Sequence, residues 1–256
     1  MFTPVGFFAK TGWTPDELPN LYDYWEADSG VTGTTNVSQW TGKANSNNFI
    51  HPTNGNGPEL ITANSGFNNQ DILRFDRANA EGLYFTKSSP NTIGTDTQFN
   101  FSIYADPEAL TSGTWRMFWG LSRPDDNTGN DFVEAMGGSN SSAFKFYCYD
   151  GSGTTTTLGE SSTPKQLMTI VVDYLNNRAR VFFGTTEDSS SPISKSNLGT
   201  KVGQQIVTLA LYNPESSGGQ LPGSMDLGGC AIWTGNDDFS TNLSNLEAYF
   251  QNKYGS

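Results

Sequence analysis

One histidine, two cysteines and fourteen basic residues stand in a chain of 256, and each shortage removes a class of function. His51 lies in a Pro/Asn/Gly loop, so a Ser-His-Asp relay would rest on that single exposed candidate, and it is read instead as a solvated loop histidine. One histidine and two widely separated cysteines do not supply the four ligands of a structural zinc site. Fourteen Lys and Arg against 26 Asp and Glu leave a net charge of −12. The basic residues are scattered, and neutralising phosphates needs a basic face, which excludes nucleic acid as a partner. No apolar run approaches the roughly 20 residues that span a bilayer, so no membrane insertion is expected. No glycine-rich phosphate loop is followed by Lys and Ser/Thr. Residues 1–10 are apolar but carry neither a charged leader nor a small-residue cleavage site, so no signal peptide is read there.

Within that stretch, Phe2, Val5, Phe7 and Phe8 are expected to form an arm that docks on another surface, or else a first strand or tucked terminus. The two thiols, Cys148 and Cys230, each sit in an apolar strand-like run and are expected to be buried and free, since free cysteine behaves as a small hydrophobe.

What the chain has is aromatic residues, glycine and turn chemistry. Aromatics make up 13% of the chain against a hydrophobic total of 35%, and they supply a large buried area per residue. Short apolar clusters recur at residues 21–25, 37–40, 72–75 and 82–85, separated by Gly, Asn, Ser and Thr. Stronger strand signals follow at 99–104, 115–121, 131–136, 143–149, 167–174, 179–183, 205–212 and 227–233. Asn176-Asn177 suits a tight turn between two of these. Thr14-Pro15 followed by Asp16 and Glu17 predicts one short helical turn. At the other end, Leu243, Leu246, Tyr249 and Phe250 recur at helical spacing, with Lys253 in the last turn and Gly255 after it. The pattern predicts an all-β protein: a two-sheet antiparallel jelly-roll sandwich with one short C-terminal helix. Residues 1–19 are read as a lead-in or attachment arm, and residues 20–256 as one domain without an internal repeat.

The segments Tyr24-Trp25-Glu26-Ala27-Asp28-Ser29-Gly30 and Val37-Ser38-Gln39-Trp40-Thr41-Gly42-Lys43 resemble the opening of concanavalin A-like lectin/glucanase domains, particularly laminin-G-like forms. Pro58-Glu59-Leu60, Leu73-Arg74-Phe75-Asp76, Leu83, the hairpin at 168–183 and the end through Ala231-Ile232-Trp233 continue that likeness over roughly residues 20–255. The resemblance implies the sandwich, with Trp25, Trp40 and Trp233 as packing residues. Domains of this type are familiar in bacteriophage virion proteins. The resemblance therefore implies a non-enzymatic protein of the virion surface, such as a capsid decoration, head or tail component, whose partners are other virion proteins. The alternative it carries is a carbohydrate-binding module or host-adhesion lectin that takes a host-surface glycan, and, further off, a glycoside hydrolase.

Candidate chemistry is sparse. The glucanases of this family use Glu-x-Asp-x-Glu on one strand face, and this chain lacks it. A pair such as Glu134 and Asp173 across strands is the nearest substitute. Glycan recognition needs an aromatic platform beside polar groups. Alternation puts Lys145, Tyr147 and Tyr149 together on one face of a middle strand, opposite Phe144, Phe146 and Cys148. Trp119 is read as core. For calcium, Asp125, Asp126, Asn130 and Asp131 cluster hard oxygen ligands in one loop, with Asn236-Asp237-Asp238 as a second cluster. The same residues are also ordinary turn formers. No other cofactor is expected.

Overall fold

The computed structural model describes residues 12–52, 55–87, 98–108, 116–122, 131–137, 144–150, 156–161, 165–173, 176–189, 191–194, 205–210 and 223–255. The attachment residues Phe2, Val5, Phe7 and Phe8, and the calcium candidates Asp125, Asp126 and Asn130, lie outside these.

The strands are β1 (Leu21–Glu26), β2 (Val31–Thr32), β3 (Gln39–Thr41), β4 (Asn48–Ile50), β5 (Glu59–Asn64), β6 (Gln70–Phe75), β7 (Leu83–Lys87), β8 (Gln98–Pro107) and β9 (Arg116–Ser122). They continue as β10 (Asp131–Gly137), β11 (Phe144–Asp150), β12 (Thr156–Ser161), β13 (Gln166–Asp173), β14 (Arg178–Phe183), β15 (Thr186–Glu187), β16 (Ile193–Ser194), β17 (Gln205–Leu209) and β18 (Met225–Thr234). One α-helix, α1 (Phe239–Tyr254), closes the chain. The first sheet runs β15-β14-β13-β8-β18-β6-β5, with β1 joined to β18 and β16 to β14. The second runs β12-β11-β10-β9-β17-β7-β4-β3-β2. The fold is the two-sheet antiparallel jelly-roll sandwich read from the sequence.

Two cores hold it together. Trp25, Trp40, Phe49, Phe85, Phe101 and Trp119 pack between the sheets, all buried. The second core lies on the other face of the first sheet, where Tyr104, Phe182 and Trp233 meet Phe239, Leu243, Leu246, Phe250 and Tyr254 of α1. Those helix positions form one apolar stripe, as a helix lying on a sheet requires. This explains β8, which is buried along almost its whole length rather than at alternate residues. Gly228 and Gly229 let the helix approach: a Cβ on Gly229 would sit 2.8 Å from the Phe250 ring, and one on Gly228 2.9 Å from Tyr254. The Tyr254 hydroxyl donates to Gly228 O at 2.6 Å.

The expected turn forms as a 3-10 helix over Pro15–Glu17, behind extended Thr14. Residues beside it pack into the helix-side core: Trp13 and Leu18 are buried, and Trp13 meets Tyr249 edge to face. Asp173 and Arg178 close the predicted hairpin, with Asn177 at φ 53°. Cys230 is free and buried in the first sheet, while Cys148 lies on β11 in the second.

The aromatic opening motif is tied by two buried carboxylates. Asp23 accepts from Tyr24 N, Ala44 N, Asn45 N, Asn47 N and Asn47 Nδ2, at 2.8–3.2 Å. The loop presses so close that a Cβ on Gly42 would lie 2.2 Å from that carboxylate. Glu26 is paired with Lys43 and with Lys253 (2.8 Å), and accepts the Tyr249 hydroxyl at 2.7 Å. Trp40 Nε1 donates to Glu26 O. The motif thus fastens β1, the following loop and α1 to one another.

Candidate functional site

Strands β6 and β8 end, and β18 begins, at one corner of the first sheet. Register pairs Glu59 with Arg74, Arg74 with Asp226, and Asp226 with Asp106, so the four share a face. Their neighbours Leu73, Phe75, Met225 and Leu227 belong to the inter-sheet core, so the charged row looks to the opposite, helix-bearing side.

A cavity of about 570 Å³ lies at this corner. Its polar lining is Arg74, Asp76, Asp106, Glu108, Ser224 and Asp226, and its apolar lining is Phe75, Pro107 and Met225. The volume falls in the ~300–1,000 Å³ range of small-ligand pockets.

The surrounding backbone is well fixed. Asp76 accepts from Ala78 N at 2.8 Å and so caps a 3-10 turn over Arg77–Asn79. Asp76 N and Asn79 Nδ2 in turn donate to Glu81 at 2.7 and 3.1 Å. Burial pushes the Glu81 carboxyl above its ordinary range, although those two hydrogen bonds oppose the shift. Ser224 Oγ accepts from Arg77 N, and Ser224 O from Glu108 N.

The charges are unequally matched. Arg74 forks onto Asp226, with Nε and Nη2 each 2.8 Å from one carboxylate oxygen. Asp106 is half-buried, and its carboxyl is pushed upward by burial and then by the charge of Asp226; a backbone hydrogen bond and the charge of Lys165 oppose this. Directly opposed Cβ atoms in an antiparallel pair lie about 4.5–5.5 Å apart, close to the ~5–5.5 Å between the carboxyl groups of a retaining glycosidase. Both Asp226 oxygens accept hydrogen bonds from Arg74. Among the described residues, no group of three or more His, Cys, Asp or Glu is arranged to hold a metal ion. The arrangement can offer carboxylate acceptors and a hydroxyl to a polar ligand over a small apolar surface.

Those of the residues picked from the sequence that are described lie on other elements. Lys145, Tyr147 and Tyr149 lie on β11 of the second sheet, where Tyr147 pairs with Glu134 and Tyr149 with Phe132. The row through Tyr147 continues across the sheet as Glu134, Gly120, Thr208, Tyr84 and Ile50. Thr208 Oγ1 is buried there without a hydrogen-bond partner, and Ile50 is the one exposed large hydrophobic residue among those described. Asp131 opens β10 opposite Asp150. Glu134 and Asp173, the carboxylate pair weighed from the sequence, lie on strands of different sheets. Asp173 instead accepts from Asn176 N and Nδ2 in the hairpin turn. Asp238 is the left-handed residue preceding α1. His51 Nδ1 lies 2.9 Å from Pro52 O.

The corner carboxylates escaped the sequence reading because they are distant in the chain and become neighbours only through the β6-β18-β8 register. The one local signal was Leu73-Arg74-Phe75-Asp76, an alternation of buried apolar and outward charged residues.

No protein-family model and no curated protein matches the chain. Among solved structures it is similar to the binding domain of Paraclostridial mosquitocidal protein 1. That likeness has a TM-score of 0.57 at 11% identity and covers 93% of this chain and 55% of that one. It is also similar to the CBM40 of the Ruminococcus gnavus IT-sialidase bound to α2,6-sialyllactose, with a TM-score of 0.42 at 8% identity over 58% of this chain and 84% of that one. The K499G mutant of NanB sialidase from Streptococcus pneumoniae gives 0.44 at 9% identity, over 66% and 27%. The shared feature is the fold: this chain is a two-sheet β sandwich.

Proposed function

We propose that this chain is a non-catalytic, lectin-like binding domain that takes a glycan at the corner cavity of its first sheet. The observation that carries the reading is the mismatch between a rigid surround and an underused lining. The backbone at the corner is tied down by Asp76, Glu81 and Ser224, while Asp106 and Glu108 present carboxylates beside the occupied Arg74–Asp226 fork. Carboxylates on fixed strands are suited to accept hydrogen bonds from sugar hydroxyls. Similarity in fold to a binding domain supports the same direction. A nucleophilic role is disfavoured because the only cross-strand partner of Asp106 in this row that could serve is neutralised by Arg74.

A glycan array tests the reading. Binding should appear, and Asp106→Asn with Glu108→Gln should remove it; an array silent with and without calcium would reject it. Running both conditions also tests the calcium candidates Asp125, Asp126, Asn130 and Asp131. Tyr147→Ala with Tyr149→Ala asks whether the face of the second sheet, rather than the corner, is the seat. Display on a virion, implied by the family resemblance, is proposed as the setting for such a domain. Co-sedimentation of the chain with particles, and its loss when residues 1–11 are removed, tests that setting.

A further inference from the structure

Building on the glycan-binding reading, we infer that the corner cavity selects its ligand by charge, taking an amine-bearing sugar most tightly, a neutral one less tightly and an acidic one least. Among the described residues, four carboxylates and one guanidinium line the space, and that guanidinium is already spent on one of the four. An acidic sugar would need a free cation to receive its carboxylate, and among the described residues that line the corner there is none. Arg74 is held through two nitrogens by Asp226. Lys165, the cation nearest Asp106, turns its ammonium to the carbonyls of Gly66 (2.7 Å) and Tyr254 (3.4 Å) and over the Phe67 ring. Arg77 is bound through its backbone N–H to Ser224 and does not line the cavity.

Freeing Arg74 for an acidic ligand would leave Asp226 unpaired beside Asp106. Two facing carboxylates in a half-buried place repel, and burial with the charge of Asp226 already pushes the Asp106 carboxyl upward. A protonated amine relieves that repulsion instead, donating to Asp106 and Glu108 without disturbing the fork.

The experiment titrates three probes into the intact chain at low and physiological salt: a glucosamine oligosaccharide, its N-acetylated counterpart and sialyllactose. The amine-bearing probe should bind about tenfold tighter than the neutral one, the effect of roughly one well-placed charge. That advantage should shrink with added salt, and Asp106→Asn with Glu108→Gln should abolish it. The salt series on the unmodified chain keeps the test valid if the double variant folds poorly. Equal binding of all three probes, or tightest binding of sialyllactose, overturns the charge selection and leaves the glycan reading standing. An amine advantage that survives the double variant overturns the assignment to this cavity. No binding by any probe, together with a silent array, overturns the glycan reading and this inference with it.

Discussion

Two clusters of carboxylates stand on the first sheet, and they differ in how many donors surround them. At the β1 end, Asp23 receives five hydrogen bonds, and Glu26 receives two ammonium groups and a phenol, both side chains fully buried. At the corner of β6, β8 and β18, Asp226 alone among the described lining carboxylates forms an ion pair, and Asp106 and Glu108 face a cavity. Carboxylates surrounded by protein donors hold a fold together. Carboxylates left partly unmatched at a fixed surface are free to hold something else. Both places are built from Asp and Glu, so composition could not have told them apart.

Substitutions should separate the two clusters by stability, beginning with the largest effect. Glu26→Gln leaves Lys43 and Lys253 without their shared carboxylate and should cost about 3 kcal/mol. That is the lower end for breaking a buried pair, because both lysines are partly exposed. Denaturant unfolding measures it, and the phenol of Tyr249, held above its ordinary range by burial and by Glu26, should titrate lower in the variant. Asp23→Asn puts an amide donor against Asn47 N and Nδ2 or against Ala44 N, and should cost about 2 kcal/mol by the same assay. Arg74→Ala breaks an exposed fork and should cost less than about 1 kcal/mol.

Asp106→Asn should change stability least at neutral pH, within about 0.5 kcal/mol, and should act instead on its pH dependence. The folded carboxyl is raised, so the native state holds a proton that the unfolded chain has released. Stability therefore falls as pH rises from the ordinary carboxylate value to the raised one, and the lost part stays lost above it. Glu81 and Glu247, also raised by burial, contribute in the same direction. A thermal-unfolding series across the acid range should show a shallower decline in the Asn variant. An unchanged slope would remove Asp106 from the account.

The contrast also marks what could be read from the chain. Sandwich, hairpin and helix were legible because Trp25, Trp40, Phe101 and Leu246 recur with the period of their element and each is buried where that period puts it. Short strands such as β2, β4, β12, β15 and β16 were not, since two to six residues carry little periodic signal. The structural role of Asp23 was hidden because its donors lie 21–24 residues away in the loop. Arg74 and Asp226 are 152 residues apart, and nothing local announces their pairing. Tyr147 and Tyr149 were legible as a strand face, but the sequence could not show that the helix side of the other sheet carries a cavity.

The most direct measurement is a paired one, of binding and melting temperature on the same proteins. A glycan that binds the unmodified chain is titrated calorimetrically into Asp106→Asn/Glu108→Gln and into Asp23→Asn, with thermal unfolding recorded for each. The account predicts that the corner variant loses binding at an unchanged melting temperature, while the Asp23 variant melts lower and binds normally below its transition. Undiminished binding by the corner variant, or a loss of folding there equal to that of Asp23→Asn, would contradict it.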